Sequence, residues 1–415
     1  MIKGQVVSSY VFEHIHRWRS DTPGIISRIH LNNAGAALMP KTVSDKIHEV
    51  ISQESQVGGY ETADQMAMEI TETYKQIGEL INASSHNIAI VENATVAIQL
   101  VLSTIAFQKG DLIITTKNDY VSNQLMFLSL SRRLNVRIMH ADELPDGGVD
   151  ADSVRRLADN PACKLVCVSW IPTNSGLIQD VEAIGKICKE FGKPFLVDAC
   201  QAVGQIPIDV KKIKCDYLAA SARKYLRGPR GIGFLYISNA ALSRGDYPIF
   251  IDARGSSWVQ KEQFILLPDA RRFENWEFSY ALVAGLGTAA LYANSINIIE
   301  TFGYVSQLAN YTRDKLREIE DVYVLDTGVN KCGIVSAKID GCDCMKLQMK
   351  LRQHRINTSY ALREWALIDM DAKNAHTALR ISPHYYNTYE EIDMLVESLN
   401  EIINENRKRT NVTLV

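Results

Sequence analysis

Two ionisable residues, Asp198 and Lys224, each come close after a short apolar run that is typical of a buried strand. Asp198 lies near the end of PFLVDA (194–199), and Lys224 follows DYLAAS (216–221). Ligands of open α/β sheets bind beyond the carboxyl ends of the strands, where both side chains would lie. The carboxylate has two interpretations: a helix N-cap or turn residue, or a counter-ion for a protonated heterocyclic nitrogen. A lone lysine is usually solvated, but an amine in this apolar setting has a lowered pKa and can attack an aldehyde.

The segment around Lys224, SARKYLRGPRGIGFLYIS, also carries groups that bind anions. Ser221 supplies a hydroxyl, and Gly228 and Gly231 let the backbone turn closely. Positive charge comes from Arg223, Arg227 and Arg230. Together these groups predict a phosphate-binding segment.

A second candidate anion site lies upstream, in VENATVAIQLVL. Ala94 and Thr95 would present backbone N–H groups and a hydroxyl at a helix N-terminus, which attracts anions. An ordinary N-cap by Asn93 or Thr95 explains this segment equally well on its own. The anion turn, then Asp198, then Lys224 occur along the chain in the order that a pyridoxal phosphate (PLP) site would use.

The elements that position these residues alternate along the chain. Apolar strand-like runs are separated by helix-length segments such as 94–108 and 181–191; the runs lie at 88–92, 111–116, 135–141, 164–171, 194–199, 216–221 and 233–238. This pattern predicts α/β architecture with a mostly parallel sheet covered on both faces. Further on, helical patterns alternate with strands at 333–339 and 377–382; they lie at 282–302, 303–319, 344–354 and 388–406. We expect a large domain over 31–265 and a smaller α+β domain formed by 1–30 and 266–415.

The composition argues against several functional classes. Apolar residues make up 46% of the 415 residues, and the net charge is -3. No basic face is implied, so neither a nucleic-acid partner nor a membrane partner is expected. The eight cysteines form no CxxC pair and no metal-ligand spacing, and the N-terminus has no signal-peptide pattern. These features predict a cytoplasmic protein with reduced thiols and no metal.

The segment DACQAVGQIPIDVKKIKCDYLAASARKYLRGPRGIGFLY resembles the class V aminotransferase superfamily, which includes cysteine desulfurases, selenocysteine lyases and isopenicillin N epimerase-like proteins. The resemblance runs from about Leu31 to Leu399. It implies a fold-type I PLP enzyme, with a large domain built on a mostly parallel sheet of the seven-stranded type and a smaller domain. It also implies an amino-acid substrate and a homodimer with its sites at the interface.

The resemblance implies roles for individual residues. Lys224 corresponds to the lysine that forms the Schiff base with PLP, and Asp198 to the partner of the pyridinium nitrogen. Tyr120 stands where many relatives stack a histidine on the pyridine ring. Its ring keeps the stacking face, the acid–base role of the histidine is lost or changed, and Tyr120 is counted with Lys224 and Asp198 as a catalytic residue. Arg380 corresponds to the arginine that clamps the substrate carboxylate, and Asn33 to an asparagine near it. The remaining implied cofactor contacts are Ala94, Thr95, Ser221 and Arg223 for the phosphate and Asn174 and Gln201 for the phenolic oxygen.

One departure from the family pattern bears on the reaction. Cysteine desulfurases carry a reactive cysteine on a mobile loop shortly before the arginine that matches Arg380. Trp365 lies at about that position, and no cysteine follows Cys344. Because a persulfide relay needs a thiolate, ordinary desulfurase chemistry is not expected.

A second departure lies in RRFENWEFS. Trp276 and Glu277 replace a Gly-Thr pair that relatives direct to the phosphate of the neighbouring subunit. A glutamate beside a phosphate would be repelled, so Glu277 is expected to meet an arginine or the substrate instead. RGSSW (254–258) is expected to line the shared site.

The expected chemistry is removal of the Cα proton of a PLP-bound amino acid, with Lys224 as general base. Three outcomes then remain open: loss of a β-substituent by C–S or C–Se cleavage, transamination, and epimerisation. We favour β-elimination, with transamination next. A non-catalytic protein that keeps the fold as a binding partner is least favoured, because Asp198, Lys224 and Arg380 are all present.

Overall fold

The computed structural model describes residues 8–413, and its central feature is a seven-stranded sheet. Neighbouring strands are parallel except at Gly233–Ile237, which runs antiparallel to both of its neighbours. In spatial order the strands are Ile88–Val91, Gly233–Ile237, Tyr217–Ser221, Phe195–Asp198, Cys163–Ser169, Leu112–Thr115 and Arg137–His140. The predicted α/β architecture with a mostly parallel sheet is confirmed.

The strands are apolar throughout because both faces of the sheet are covered. Successive residues alternate between two hydrophobic cores: Phe195 and Val197 belong to one core, and Leu196 belongs to the other. The edge strand Arg137–His140 differs, since exposed residues alternate with half-buried ones along it. The helices of this part of the chain are Lys41–Val57, Gly59–Gln65, Ala67–Ile81, Ala94–Thr104, Val121–Leu134, Ala151–Ala158, Val181–Glu190, Val210–Ile213, Asn239–Ser243 and Tyr280–Asn294.

A second, antiparallel sheet of four strands lies in the C-terminal part of the chain. Its spatial order is Val322–Val324, Val335–Ile339, Thr377–Ile381 and Ser359–Leu362. The helices that accompany it are Ile298–Arg317, Cys344–Gln353, Leu367–Ala372 and Tyr389–Thr413, together with the N-terminal helix Ser9–Ser20. Val11 and Trp18 of that N-terminal helix belong to the same hydrophobic core as Leu308 and Ile381.

The division into domains stays a prediction, and we propose one change to it. Helix Tyr280–Asn294 packs against Lys41–Val57 and Ala67–Ile81, and its Leu286 belongs to the core of the large sheet. We therefore propose that the large domain extends to about residue 295 rather than 265.

Several element boundaries differ from the sequence-based expectation. The prediction that one helix ends at 302 and the next begins at 303 was wrong, because the first helix ends at Asn294 and the second begins at Ile298. Asn297 caps the second helix by accepting hydrogen bonds from Ile299 N (3.2 Å) and Glu300 N (3.4 Å). The hairpin formed by Ser256–Gln260 and Gln263–Leu266 was not predicted. No single helix of residues 8–413 is long and apolar enough to cross a bilayer, although Tyr280–Asn294 and Ile298–Arg317, which meet at 87°, pass that test of length and composition as a pair.

Candidate active site

The parallel sheet brings Asp198 and Lys224 to one edge. Asp198 is the last residue of its strand and pairs with Ala219 of the next strand, Tyr217–Ser221. Because the two strands are parallel, both end at the same edge, and Lys224 follows shortly after the second one. Both side chains line a single cavity of about 700 Å³. This cavity also includes Ala94, Thr95, Tyr120, Asn123, Cys200, Ser221, Arg223 and Arg230.

The carboxylate of Asp198 is buried and held from two sides. Its Oδ1 accepts a hydrogen bond from the backbone N–H of Cys200 at 3.0 Å, and its Oδ2 accepts one from Asn123 Nδ2 at 3.2 Å. Two bonds leave acceptor capacity on a carboxylate that faces a cavity. A protonated ring nitrogen is a group that can use this capacity.

The Lys224 amine is buried in the same cavity, with its Nζ 5.7 Å from the centre of the Tyr120 ring. Burial lowers the pKa of Lys224 below its usual value, and the positive charges of Arg223 and Arg380 lower it further. The negative charge of Asp198 acts in the opposite direction. A lysine with a lowered pKa is more often neutral, and only the neutral amine can attack an aldehyde.

The opposite wall of the cavity combines a helix N-terminus with cationic side chains. The backbone N–H of Ala94 donates to Ser221 Oγ at 3.1 Å, so that hydroxyl is fixed at the start of helix Ala94–Thr104. The N-cap is Asn93, whose Oδ1 accepts from Val96 N at 3.1 Å, and Thr95 lines the cavity. With Arg223 and Arg230 nearby, this wall suits an anionic group such as a phosphate.

Arg227 does not belong to this wall, which corrects its expected phosphate role. Its guanidinium donates to Leu38 O (2.9 Å), Tyr385 OH (2.9 Å) and Thr22 Oγ1 (2.5 Å). It also lies 4.7 Å from the centre of the Tyr386 ring. Every one of these partners comes from the N-terminal segment or the C-terminal part of the chain, so Arg227 ties the large sheet to the second core.

Arg380 is a buried cation without a carboxylate partner. Its Nη1 donates to Thr173 O (2.9 Å) and Oγ1 (3.0 Å), and its Nη2 donates to Asn32 Oδ1 (3.3 Å). Its Nε is buried without any acceptor among the described residues. Burial lowers the pKa of Arg380 to about 10, and none of the groups that act on this pKa is an aspartate or a glutamate. A buried guanidinium that lacks a counter-charge and has an unpaired N–H is suited to bind the carboxylate of a substrate.

The structure places Asn32, rather than the predicted Asn33, against Arg380. Asn33 is fully buried, and its Nδ2 donates to Ser382 O at 2.8 Å while its Oδ1 accepts from Tyr386 OH. Both ends of the Asn33 amide are therefore occupied by protein. Asn32 precedes the short helix Asn33–Ala36 and directs its oxygen to the guanidinium.

Gln201 and Asn174 lie beside the Arg380 group rather than on the wall of the 700 Å³ cavity. Gln201 Nε2 donates to Thr173 Oγ1 (3.1 Å), the hydroxyl that Arg380 also contacts, and Gln201 Oε1 is buried without a partner among the described residues. Asn174 Nδ2 donates to Asp369 Oδ2 at 2.6 Å. Asp369 belongs to helix Leu367–Ala372, which begins two residues after Trp365.

The residues around the cavity fit PLP. The groups on its walls match the parts of the cofactor one by one: an amine for the aldehyde, a carboxylate for the ring nitrogen, and an anion-binding wall for the phosphate. The buried oxygen of Gln201 and the buried oxygen of Asn123 have no protein partner in the part of the chain that the structure describes. Within residues 8–413, no three histidine, cysteine or acidic side chains come together as a metal site.

Two further predicted positions lie away from the cavity. Trp365 stacks on Tyr360, with ring centres 5.5 Å apart, and is half-exposed. Glu277 contributes to a smaller neighbouring cavity of about 190 Å³ that shares Gly231 with the larger one, and the Trp276 side chain is exposed. Of the RGSSW segment, Arg254 pairs with buried Glu274 at 3.1 Å, and Trp258 points to solvent from the hairpin.

Sequence reasoning missed Asn123, Cys200 and Asn32. Asn123 could have been found, since it lies one helical turn after Tyr120 at the start of helix Val121–Leu134 and therefore faces the same way. Cys200 follows Asp198 by two residues, but the sequence predicted only a reduced thiol there. Nothing in the local pattern separates Asn32 from Asn33.

Comparisons with known proteins agree with this geometry. The sequence pattern of the family described as "Aminotransferase class-V" matches residues 29–395. A protein named "Probable cysteine desulfurase" from Methanothermobacter thermautotrophicus is 28% identical over 399 residues, covering 94% of this chain and 99% of the relative.

Solved structures show the same fold. The apo structure of a cysteine desulfurase from Thermococcus onnurineus NA1 superposes with a TM-score of 0.86 at 25% identity, covering 96% of this chain and 100% of that one. The cystine C–S lyase C-DES, solved with its product cysteine persulfide, gives 0.82 at 22% identity over 91% of this chain and 99% of that one. A variant of C-DES was solved with glycine covalently linked to its PLP cofactor. The chain belongs to the class-V aminotransferase family of fold-type I PLP enzymes, in its cysteine desulfurase branch.

Proposed function

We propose that this enzyme removes a sulfur- or selenium-bearing substituent from the β-carbon of an amino acid, as a C–S or C–Se lyase without a persulfide cysteine. The observation that carries the proposal is the thiol inventory of the site. Cys200 is the cysteine that lines the cavity in the described part of the chain, and burial raises its pKa to about 12. A thiol with such a pKa stays protonated at neutral pH and is a poor nucleophile.

The similarity to known proteins supports this choice. The relative from Methanothermobacter is named as a desulfurase, and C-DES is named as a lyase that cleaves the C–S bond of cystine. In this chain Trp365 lies at about the loop position where a desulfurase keeps its cysteine, and no cysteine follows Cys344. C–S cleavage that releases the sulfur product directly requires no protein thiolate.

The residues of the site have two tasks: some bind the substrate carboxylate, and others act at the cofactor and the Cα proton. Arg380, with its free Nε and with Asn32 beside it, binds and orients the substrate carboxylate. When bound, PLP supplies the aldehyde that joins the substrate amine and the ring that accepts the electrons left at Cα. Lys224 takes the Cα proton as a general base, since its pKa is lowered by burial. Asp198 would hold the ring nitrogen protonated, and Tyr120 would cover the ring.

The remaining cofactor contacts follow from the same arrangement. We propose that Ala94, Thr95, Ser221 and Arg223 form the phosphate end of the site. We propose that Gln201, whose Oε1 is buried without a partner among the described residues, would contact the phenolic oxygen of the ring through that atom. Asn174 could contact the phenolic oxygen only after its hydrogen bond to Asp369 breaks, because its Nδ2 donates to that carboxylate.

Two measurements test the proposal. The holoenzyme is offered cysteine, cystine, selenocysteine, their conjugates and common amino acids, and pyruvate is expected from the substrates that carry sulfur or selenium. Conversion of the cofactor to its pyridoxamine form without pyruvate would instead indicate transamination, and loss of substrate chirality alone would indicate epimerisation.

The matched variant is Lys224→Ala. It is expected to lose both the visible absorption band of the lysine-bound cofactor and turnover, because no other amine lies on the cavity wall among the described residues. The fold should persist, as judged by far-UV circular dichroism. Substantial turnover by the variant would refute the role of Lys224.

We also propose that the enzyme is a cytoplasmic homodimer whose interface includes the hairpin. Large apolar side chains are exposed in the hairpin and in the segment that precedes it: Ile249, Phe250, Trp258, Phe264 and Ile265 are between 45% and 84% exposed. Such a cluster is typical of a protein interface. The small cavity that contains Glu277 opens beside the site at Gly231, so a partner subunit seated on this face would reach the site.

Sedimentation velocity tests the interface. The wild type is expected to sediment as a dimer, and the double variant Phe250→Asp, Trp258→Asp as a monomer. Ile299→Asp serves as the control, because Ile299 is similarly exposed (69%) at the start of helix Ile298–Arg317, in the second core's part of the chain. A monomeric wild type, or a dimeric double variant, would contradict the proposal.

A further inference from the structure

A second buried carboxylate, Asp119, lies behind the cofactor-facing Asp198. Asp119 follows strand Leu112–Thr115, and strand Cys163–Ser169 lies between that strand and the strand of Asp198. The Nδ2 of Asn123 is 3.0 Å from Asp119 Oδ1 and 3.2 Å from Asp198 Oδ2. One amide group therefore bridges the two carboxylates, with one hydrogen for each.

We propose that Asp119 is a positioning residue for the cofactor, which fixes Asp198 through Asn123 and fixes the stacking residue Tyr120 through its backbone. The proposal rests on the PLP site described above. Asp119 itself does not line the cavity, so its hydrogen bonds reach the cofactor site through these two neighbours.

The hydrogen-bond directions around Asp119 are determined by its partners. Its Oδ1 accepts from the backbone N–H of Tyr120 at 2.7 Å, from Asn123 Nδ2 and from Ser169 Oγ. Its Oδ2 accepts from Thr115 Oγ1 at 2.6 Å. Ser169 Oγ also accepts from Tyr120 N–H at 3.2 Å, which directs the hydroxyl hydrogen of Ser169 to Asp119. Asp119 therefore acts as an acceptor in every bond, as an ionised carboxylate does.

This hydrogen-bond network connects Tyr120, which is expected to stack on the cofactor ring, with Asp198, which is expected to bind the ring nitrogen. On one side Asp119 sets the entry into helix Val121–Leu134, where Tyr120 is the N-cap residue and turns its ring toward Lys224. On the other side it holds Asn123 so that its second hydrogen points to Asp198. The residues of this network are 0–5% exposed, apart from half-buried Tyr120, so water cannot replace a lost bond easily.

A second buried carboxylate close to Asp198 lowers the stability of the fold, because burial and the neighbouring negative charge both disfavour its ionised form. Burial raises the pKa of Asp119 to about 6, and the charge of Asp198 raises it too, while the bonds from Ser169, Thr115 and Asn123 oppose this shift. The other titratable group that faces it is Cys167, whose pKa is raised well above its usual value by burial, so this thiol stays neutral. Capping does not account for Asp119, because Tyr120 is the N-cap of the following helix and the one backbone N–H that Asp119 binds in the described part of the chain belongs to Tyr120.

The test compares Asp119→Ala with Asp119→Asn and with Thr115→Val as the matched control. Asp119→Ala removes the acceptor for both neighbours. It is expected to weaken PLP binding by about tenfold or more and to reduce the circular dichroism band of the bound cofactor, which reports how the ring is held. Asp119→Asn keeps an oxygen that can accept from Tyr120 N–H and Asn123, and should restore most of both signals.

Thr115→Val removes one bond to Asp119 without touching Asn123 or Tyr120. It should lower thermal stability but leave PLP affinity and the cofactor band within about twofold of the wild type. Asn123→Ala provides a second route if Asp119→Ala does not fold, and it should shift the cofactor band in the same direction as Asp119→Ala.

The proposal would be overturned if Asp119→Ala, or Asn123→Ala in its place, lost stability while PLP affinity and the cofactor band stayed at wild-type values. That result would leave Asp119 with a role in stability only. Failure of the PLP site itself is a distinct result, because the wild type would then show no Lys224-dependent band at all.

Discussion

Arg227 and Arg380 are both buried arginines, but they differ in how the surrounding residues satisfy their guanidinium groups. Arg227 has acceptors on Leu38, Tyr385 and Thr22 and a tyrosine ring 4.7 Å from its guanidinium carbon. Arg380 has contacts to Thr173 and Asn32, no carboxylate, and a buried Nε without any acceptor among the described residues. Each nitrogen of the Arg227 guanidinium has an acceptor in the folded chain, whereas the Nε of Arg380 has none among the described residues.

The difference separates structural from ligand-binding cations. Burying a charge is unfavourable unless hydrogen bonds and counter-charges replace the lost water. Arg227 has no carboxylate partner among the described residues either, but each of its three nitrogens donates a hydrogen bond, and three tyrosine rings lie 4.7–5.6 Å from its guanidinium carbon. Arg380 has no acceptor for its Nε among the described residues, so a substrate carboxylate would supply the missing partner. Substitution of each residue should therefore affect different measurements.

The largest effect is expected for Arg380→Met. Removing the guanidinium should lower kcat/KM for an amino-acid substrate by about 10³-fold, which corresponds to about 4 kcal/mol of lost transition-state binding. The free energy of unfolding should stay unchanged or rise, because a buried and incompletely paired cation is removed. Steady-state kinetics and thermal unfolding measure the two quantities.

Arg380→Lys sharpens this prediction. It keeps the charge but loses the forked geometry, so its kcat/KM should lie between those of the wild type and Arg380→Met. A wild-type kcat/KM in Arg380→Met would show that the carboxylate binds elsewhere.

A smaller effect, on stability instead of activity, is expected for Arg227→Met. The change leaves Leu38 O, Thr22 Oγ1 and Tyr385 OH without their donor, and the free energy of unfolding should fall by about 3 kcal/mol. Below its melting temperature the variant should bind PLP with the wild-type absorption band. Denaturant unfolding measures the change, and a lost cofactor band in the folded variant would return Arg227 to a phosphate role.

The smallest expected effect is the coupling between the two sites. Arg227 and Arg380 share no hydrogen-bond partner, so the stability changes of the double variant should add within about 0.5 kcal/mol. A larger coupling in a double-mutant cycle would mean that the two regions are not independent.

Local patterns in the sequence predicted the sheet and its two central site residues. Apolar runs mark the strands, and Asp198 and Lys224 lie where parallel strands end, so their convergence follows from the chain order alone. The role of Arg227 could not be predicted in this way, because its partners are distant along the chain. The same holds for Asp369, whose contact with Asn174 joins residues far apart in sequence.

The exchange of Asn33 for Asn32 has another cause. Neighbouring residues at the start of a short helix point in different directions, and only the packing of Tyr386 and Ser382 around Asn33 decides which one is turned inward. The identity and spacing of residues in the sequence therefore do not predict which of the two asparagines contacts Arg380.

The pairing of Asp198 with Ala219 also determines which mutations the site tolerates. Successive residues of a strand point to opposite faces, so inserting or deleting one residue in Phe195–Asp198 would turn the carboxylate away from the cavity even if the core remained well packed. Exchanges among valine, isoleucine and leucine in the same strand would leave it in place. The length of these strands is therefore under tighter constraint than the chemical identity of their apolar residues.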